Sequence, residues 1–278
     1  MRNCSQHIAQ RGHFGEWLQG RLGPSGPVVL VSLSCPLPVL DAWHIAGAGP
    51  LRLHGAGQSA GKARRFLRDL GCDLTGHIRL RARVPPGQGM GMSTARLLAL
   101  ARLAGFAGPA PMLARACLRA EGASDPLWLP MGDHALWASR LGRRVDTLPP
   151  VPRCRIIGGL WGAGQRTDPL DSRFPDISDL VEAWCASCGL ADFAAVASES
   201  AARCVALRGP TDDPTARLSR HLGALGWVAA HTGSARGLVF KPGTAPPDIG
   251  RRLRTAGFRN LVAFDTGCQR CACAQNMS

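Results

Sequence analysis

The sequence predicts an α+β protein built in two halves, and three observations carry that prediction. A chain of 278 residues with 45% apolar content can bury one large core or two modest ones. Residues 77–84 alternate apolar and basic side chains and run straight into a glycine-rich turn and an apolar helical pattern, giving the order strand, loop, helix. The stretch "LPPVP", residues 148–152, then interrupts two regions that each mix strand and helix signals. It divides the chain into residues 1–150 and 151–278.

Taken in order, residues 27–33 and 37–43 read as strands joined through Cys35 and Pro36, and residues 61–70 as a basic helix. In the period-two strand at 77–84, one face carries Ile78, Leu80 and Ala82 and the other Arg79, Arg81 and Arg83. Pro85 and Pro86 end it, because neither can donate to a ladder. Beyond the glycines, Leu97, Leu98, Leu100, Ala101 and Ala104 form an apolar helical face, with Arg96 and Arg102 off it. Residues 109–121 read as the next helix. In the second half, 154–157, 237–240 and 261–264 read as strands, and 176–188, 191–205 and 248–256 as helices. No internal repeat or long low-complexity tract is visible.

Composition narrows the function classes. Residues 1–20 are polar and mixed, unlike a secretory peptide. The longest apolar run, 28–40, is broken by Pro36 and Pro38 and is too short to cross a bilayer. The expectation is a cytoplasmic protein without a membrane partner. The formal charge is +14, yet Lys62 and Lys241 are the only lysines and the arginines are spread along the chain. Groups such as Arg64, Arg65 and Arg68, or Arg251, Arg252 and Arg254, fit the solvated faces of helices. Aromatics make up only 5% and do not interleave with the arginines as a nucleic-acid stacking platform requires, so no nucleic-acid partner is expected. An attraction for polyphosphates follows from the charge all the same.

The 11 cysteines are an odd number, which argues against a disulfide framework. Cys185 and Cys188 form one CxxC pair, and Cys268, Cys271 and Cys273 crowd the tail. Compact zinc modules keep their pairs much closer in the chain than these, so most cysteines are expected to be small buried residues and the tail set to be exposed and oxidisable.

The chemistry concentrates in "VPPGQGMGMSTARLLALARLAG", residues 84–105. Gly87, Gly89 and Gly91 at alternate positions let backbone N–H groups approach an anion without Cβ interference, and a helix start adds its positive dipole end. This is not a Walker loop, since Met92 stands where the lysine would be, and it is not GxGxxG, since the third glycine comes one residue early. A phosphate cradle and a plain glycine turn capped by Ser93 or Thr94 both fit the spacing.

The run Pro85 to Ala95 resembles the phosphate motif of the GHMP kinases, written PxxxGLGSSAA. Two further segments sharpen the resemblance. "GHFGEWLQG", residues 12–20, with "LVSLSCPLP", residues 30–38, is similar to the amino-terminal signature of the L-threonine kinase branch. "WVAAHTGSARGLVF", residues 227–240, is similar to that branch's AHSGTxxGLL element, with Thr232 in place of serine.

The resemblance implies a GHMP kinase fold: an amino-terminal α+β domain like the ribosomal S5 second domain, a carboxy-terminal ferredoxin-like domain, and ATP in the cleft between them. The implied activity is transfer of the ATP γ-phosphate to L-threonine, for cobalamin side-chain synthesis, with homoserine or another small alcohol as the alternative acceptor. A catalytically silent nucleotide-binding regulator is the other alternative. By position, the ATP-binding stretch is Pro86, Gly87, Gln88, Gly89, Met90, Gly91, Met92, Ser93 and Thr94. Ser93 and Glu121 are the implied Mg²⁺ ligands, and Asp125 orients or deprotonates the acceptor hydroxyl. Glu16, Gln19, His231, Thr232, Gly233 and Ser234 are the implied substrate contacts, Glu16 through the amino group of a hydroxy amino acid. The chain departs from the motifs at Met92, which removes one hydroxyl from the loop, and around Glu121, which lies one residue too far from Asp125. A fluorescence-anisotropy titration with oligonucleotides at low salt, where non-specific binding is strongest, is expected to stay flat.

Overall fold

The computed structural model describes residues 5–268 apart from residues 56, 58 and 166. The first half runs β1 (Ser5–Arg21), β2 (Val28–Pro50), β3 (Arg52–His54), α1 (Ala60–Asp69), β4 (Thr75–Ala82), α2 (Met92–Leu103), α3 (Ala110–Glu121), β5 (Ala135–Ala138) and β6 (Arg143–Thr147). The second runs β7 (Cys154–Leu160), α4 (Ser178–Ala186), α5 (Leu190–Arg208), α6 (Thr215–His221), β8 (Gly226–Ala229), β9 (Ala235–Phe240), α7 (Ile249–Thr255) and β10 (Arg259–Thr266). Among the described residues, the strands join in one sheet of order β10-β7-β9-β8-β1-β2-β4-β3, and the β5–β6 hairpin hangs from β2.

The two strands expected at 27–33 and 37–43 are one, the 23-residue β2. Its prolines are tolerated because the register against β1 slips there: Arg11 pairs with Pro38, His13 pairs with Ser34, and Pro36 lies opposite the irregularity, where no ladder bond is required. β1 itself gives no alternating signal because residues 12–20 are buried without a break and the register shifts four times between Gln10 and Leu18. Gly15 at φ 73° supplies the left-handed residue of that distortion. Immediately after it, Glu16 pairs with Ser32 of β2 and with Ala229 of β8, so the strands of the two halves meet at this residue.

The main core runs through both halves. Phe14, Trp17 and Leu18 of β1 lie in one cluster with Leu97, Leu98 and Leu100 of α2 and with Phe193, Ala194 and Ala197 of α5. Trp184 of α4 bridges Trp17 and Phe193, with ring centroids at 6.3 and 4.8 Å. A smaller cluster of Trp227, Leu238, Phe240 and Leu253 fills the space under α7. The strand at 77–84 forms as β4, with Ile78 and Leu80 inward and Arg79 and Arg81 exposed. α3 starts after Pro109 and stops at Gly122, whose φ of 74° closes the helix.

Cys35, Cys117, Cys154 and Cys204 are buried, as apolar residues would be, whereas Cys185 and Cys188 are exposed. Among the described residues, no three His, Cys, Asp or Glu side chains gather as a metal group. Cys271 and Cys273 lie outside the described residues. No helix among the described residues is long and apolar enough to cross a membrane.

One polar side chain secures the junction of the halves. Gln19 is fully buried; its Nε2 donates to Ala229 O of β8 at 2.9 Å, and its backbone N–H donates to Ser200 Oγ of α5 at 2.9 Å. Gln19→Leu is expected to cost about 1–3 kcal/mol by stranding the Ala229 carbonyl. The denaturant midpoint should fall at unchanged slope.

Candidate active site

The glycine loop is built by turning its carbonyls inward. Gly87 O accepts from Gln165 N at 2.8 Å, Gln88 O from Ala235 N at 2.9 Å, Gly89 O from Gly15 N at 3.2 Å and Met90 O from His13 N at 3.4 Å. With the carbonyls engaged, from Gly89 to Thr94 no backbone N–H has an acceptor among the described residues. These groups are what an anion at a helix start requires. Only glycine satisfies the geometry: Gly87, Gly89 and Gly91 have φ of 78°, 73° and 68°, and a Cβ on Gly89 would lie 2.1 Å from Ala230 Cβ.

α2 has no side-chain cap, so neither Ser93 nor Thr94 closes the turn in that way. Thr94 turns inward instead; its hydroxyl donates to Asp125 Oδ2 at 3.3 Å and accepts from Asp125 N at 3.1 Å, buckling Asp125 to α2. Met90 and Met92 are both buried in the core, so their positions contribute backbone rather than side chain. The hydroxyl absent at Met92 is therefore exchanged for core packing.

The loop opens on a cavity of ≈ 290 Å³, at the lower end of the range for small-ligand pockets. Pro86 to Thr94 line it, together with Glu16, Glu121, Asp125, His231 and Thr232. Gln19 is not among the lining residues; it is the strand clamp described above. Gly233 and Ser234 also lie behind the loop. A Cβ on Gly233 would lie 2.4 Å from Gly89 N, and the Ser234 hydroxyl donates to Gln88 Oε1. Of the implied substrate contacts, only Glu16, His231 and Thr232 face the cavity.

Ser93 and Glu121 line the same cavity, and neither has a hydrogen-bond or ion-pair partner among the described residues. One hydroxyl and one carboxylate, with phosphate and water completing the shell, is a hard-oxygen set that suits Mg²⁺. The extra residue between Glu121 and Asp125 is absorbed after α3 ends, and both acids reach the cavity.

The centre of the site is a residue that motif reading passed over. His13 is buried, with Nδ1 3.2 Å from Gly15 O and 3.7 Å from Glu16 Oε1, and Nε2 3.5 Å from Asp125 Oδ2. Its ring also backs Gly91, where a Cβ would meet His13 Cδ2 at 2.6 Å. Burial opposes its charged form, but the Asp125 and Glu16 carboxylates outweigh that and raise its pKa to about 9. Burial pushes Glu16 up to about 7, against the pull of His13 and of the His231 N–H that it accepts at 2.8 Å. Asp125 is held below the ordinary carboxyl value: burial opposes this, and His13 and the Thr94 hydroxyl prevail. Asp125 is thus a carboxylate oriented between the His13 ring and the Thr94 hydroxyl. His13 stands inside the quoted "GHFGE", but nothing in its spacing announces that Asp125 will meet it.

Other lining residues gave no local signal: Lys62 from the first turn of α1, and Ser124, Ser139, Arg140, Gln165 and Thr167 from connecting segments. His231 is buried, with neither ring nitrogen partnered. Burial, then Arg140 and Arg208, depress its pKa to about 3, so it stays neutral.

Because the folded pKa of His13 is raised, its charge stabilises the fold fully below its ordinary value of 6.5, and that contribution is lost as pH rises through about 9. Denaturant unfolding is expected to show His13→Gln less stable by up to roughly 3 kcal/mol near pH 6, with the gap closing by about pH 10.

No protein-family model matches the chain, and no curated protein matches it by sequence. Solved structures do match over almost the whole length. Homoserine kinase from Cytophaga hutchinsonii superposes with a TM-score of 0.63 at 17% identity, covering 96% of this chain and 95% of that one. Mevalonate kinase from methicillin-resistant Staphylococcus aureus does so at 0.52 and 12%, covering 94% and 98%. 4-(Cytidine 5'-diphospho)-2C-methyl-D-erythritol kinase does so at 0.50 and 21%, covering 95% and 100%. The glycine loop at the start of α2, the mixed sheet and this full-length likeness agree: the chain has the GHMP kinase fold.

Proposed function

We propose that the protein is a small-molecule kinase that moves the ATP γ-phosphate to the hydroxyl of L-threonine, giving O-phospho-L-threonine and ADP. The observation that carries the reading is the run of unbonded N–H groups from Gly89 to Thr94 opening on the cavity that also holds Asp125. The first supplies fixed donors for a polyphosphate, the second an oriented carboxylate for an acceptor alcohol.

In this reading the triphosphate lies along the loop, and the outward N–H groups meet the charge that spreads over the transferring phosphoryl oxygens. Asp125, kept ionised by His13, accepts the acceptor's hydroxyl proton as the bond from that oxygen to phosphorus forms and the bond to the ADP oxygen breaks. Ser93 and Glu121 would hold Mg²⁺, which neutralises phosphate charge when bound. His13 acts by orienting Asp125 and bracing Gly91, so base and loop share one support. Glu16 receives the amino group of a hydroxy amino acid, and its proximity to His13 makes it responsive to that charge.

L-Threonine is preferred because three ordered segments, 12–38, 85–95 and 227–240, resemble the threonine kinase branch. Homoserine is the second reading, favoured by the full-length likeness to a homoserine kinase. A place in cobalamin side-chain synthesis follows from the threonine reading.

The test is ADP release by purified protein with Mg-ATP and L-threonine, D-threonine, L-serine, L-homoserine or no acceptor. Turnover is expected with L-threonine alone; turnover confined to homoserine would transfer the proposal to the second reading, and silence in protein that binds ATP would overturn it. Asp125→Asn is expected to lower kcat/KM by about 10²–10⁴-fold. Ser93→Ala combined with Glu121→Gln should abolish transfer, and an active double variant would overturn the metal assignment.

A further inference from the structure

Away from the cavity, the β5–β6 hairpin leaves an open sheet edge. The hairpin joins the main sheet through one residue pair, Leu30 with Trp137, and β6 pairs with β5 alone. All five residues of β6, Arg143 to Thr147, are exposed, so among the described residues no strand lies along its outer side. Two large apolar side chains are on the surface here, Leu141 in the turn and Val145 in β6, at 50 and 38% exposure. An open edge with exposed apolar side chains is a template for another chain.

Proteins commonly block such an edge with charges of one sign, because a copy of the same strand is then repelled. The charges of β6 have the other arrangement. Laid antiparallel against itself with Val145 on the two-fold axis, the strand sets Arg144 opposite the partner's Asp146 and Asp146 opposite the partner's Arg144. The attractive pair forms twice, and Arg143 falls opposite the partner's Thr147, so no like charges stand face to face. These groups are available for it. Neither the Arg143 nor the Arg144 guanidinium has a hydrogen-bond or ion-pair partner among the described residues. Asp146 accepts from the Thr147 N–H through Oδ1 at 2.7 Å, which leaves Oδ2 for an arginine. Val145 is also the residue that the hairpin skips, since Leu136 takes Asp146 and Trp137 takes Arg144.

We propose that the protein forms a two-fold dimer through β6, with a second copy of the chain on this edge. Each two-stranded hairpin, marginal by itself, then becomes half of a four-stranded sheet of order β5-β6-β6-β5 across two molecules. The inference is independent of the kinase reading, although the hairpin leads to the site. Trp137 Nε1 donates to Ser124 O at 2.7 Å, next to Asp125, and Ser139, directly after β5, lines the cavity. A second copy on β6 therefore backs the strand that carries this wall.

The test is sedimentation velocity of the full chain over a series of protein concentrations, in reducing buffer so that the exposed Cys185 and Cys188 form no cross-links. The wild-type mass is expected to rise toward twice that of the chain. Arg144→Asp and Asp146→Arg should each weaken association by at least about 10-fold, because each sets like charges opposite one another twice. An equimolar mixture of the two single variants should dimerise again, since each strand then offers the other its missing sign. A chain carrying both substitutions should associate as the wild type does, which a contact within one molecule would not produce. Wild-type protein that stays monomeric throughout would overturn the proposal without any variant. A dimer unmoved by both single substitutions, or a mixture that stays monomeric, would overturn it as well. Both substituted residues are exposed, so the fold is not at stake in either variant.

Discussion

The structure of the site depends on the inward bonding of four consecutive carbonyls, Gly87 to Met90. Three separate parts of the chain hold them: the segment at Gln165, the start of β9 at Ala235, and the β1 distortion, which takes two through Gly15 and His13. Peptide planes that turn their oxygens toward the protein turn their N–H groups away from it. The cradle is therefore a product of long-range contacts acting on a stretch whose glycines merely permit it. The requirement also accounts for Gly233, which lets backbone approach the loop from behind.

The second feature is a set of buried charges arranged in series. Glu16, His13 and Asp125 lie close enough that the imidazolium serves both carboxylates, and Thr94 completes the coordination of Asp125. Isolated, each would be costly to bury; together they hold Asp125 below the ordinary carboxyl range, while burial raises Glu16 to about 7. Since the same imidazole ring supports Gly91, the electrostatics of the base and the shape of the loop are coupled through one side chain. Across the cavity, Arg208 is paired with Asp171 at 2.8 Å, and burial with the nearby arginines keeps His231 neutral.

Much of this was legible in the sequence wherever the signal was local. β4, α2 and α3 were readable because alternation, helical spacing and proline or glycine boundaries act within a few residues. β1 was not, because a strand buried on both faces and distorted four times keeps no period. Its neighbour β2 was divided at Cys35–Pro36, since a proline breaks a strand unless its partner slips, and the slip belongs to β1. Within the site, Gln19 and Ser234 shared motifs with Glu16 and His231 but serve the scaffold. Met92 looked like a lost hydroxyl and is a core residue instead.

By itself, the sequence determined the alternating glycines ahead of a helix, one acid at the end of the next helix and another just beyond it, and the order of elements around them. These follow from backbone sterics and short-range periodicity, which need no partner. Only the tertiary structure decided which way the loop carbonyls face, that His13 meets Asp125, and that Arg140 shares a wall with His231. Those outcomes depend on where the β1 distortion falls and on how the sheet joins its two halves at Glu16, and no local rule specifies a contact between groups that meet only after the sheet has formed.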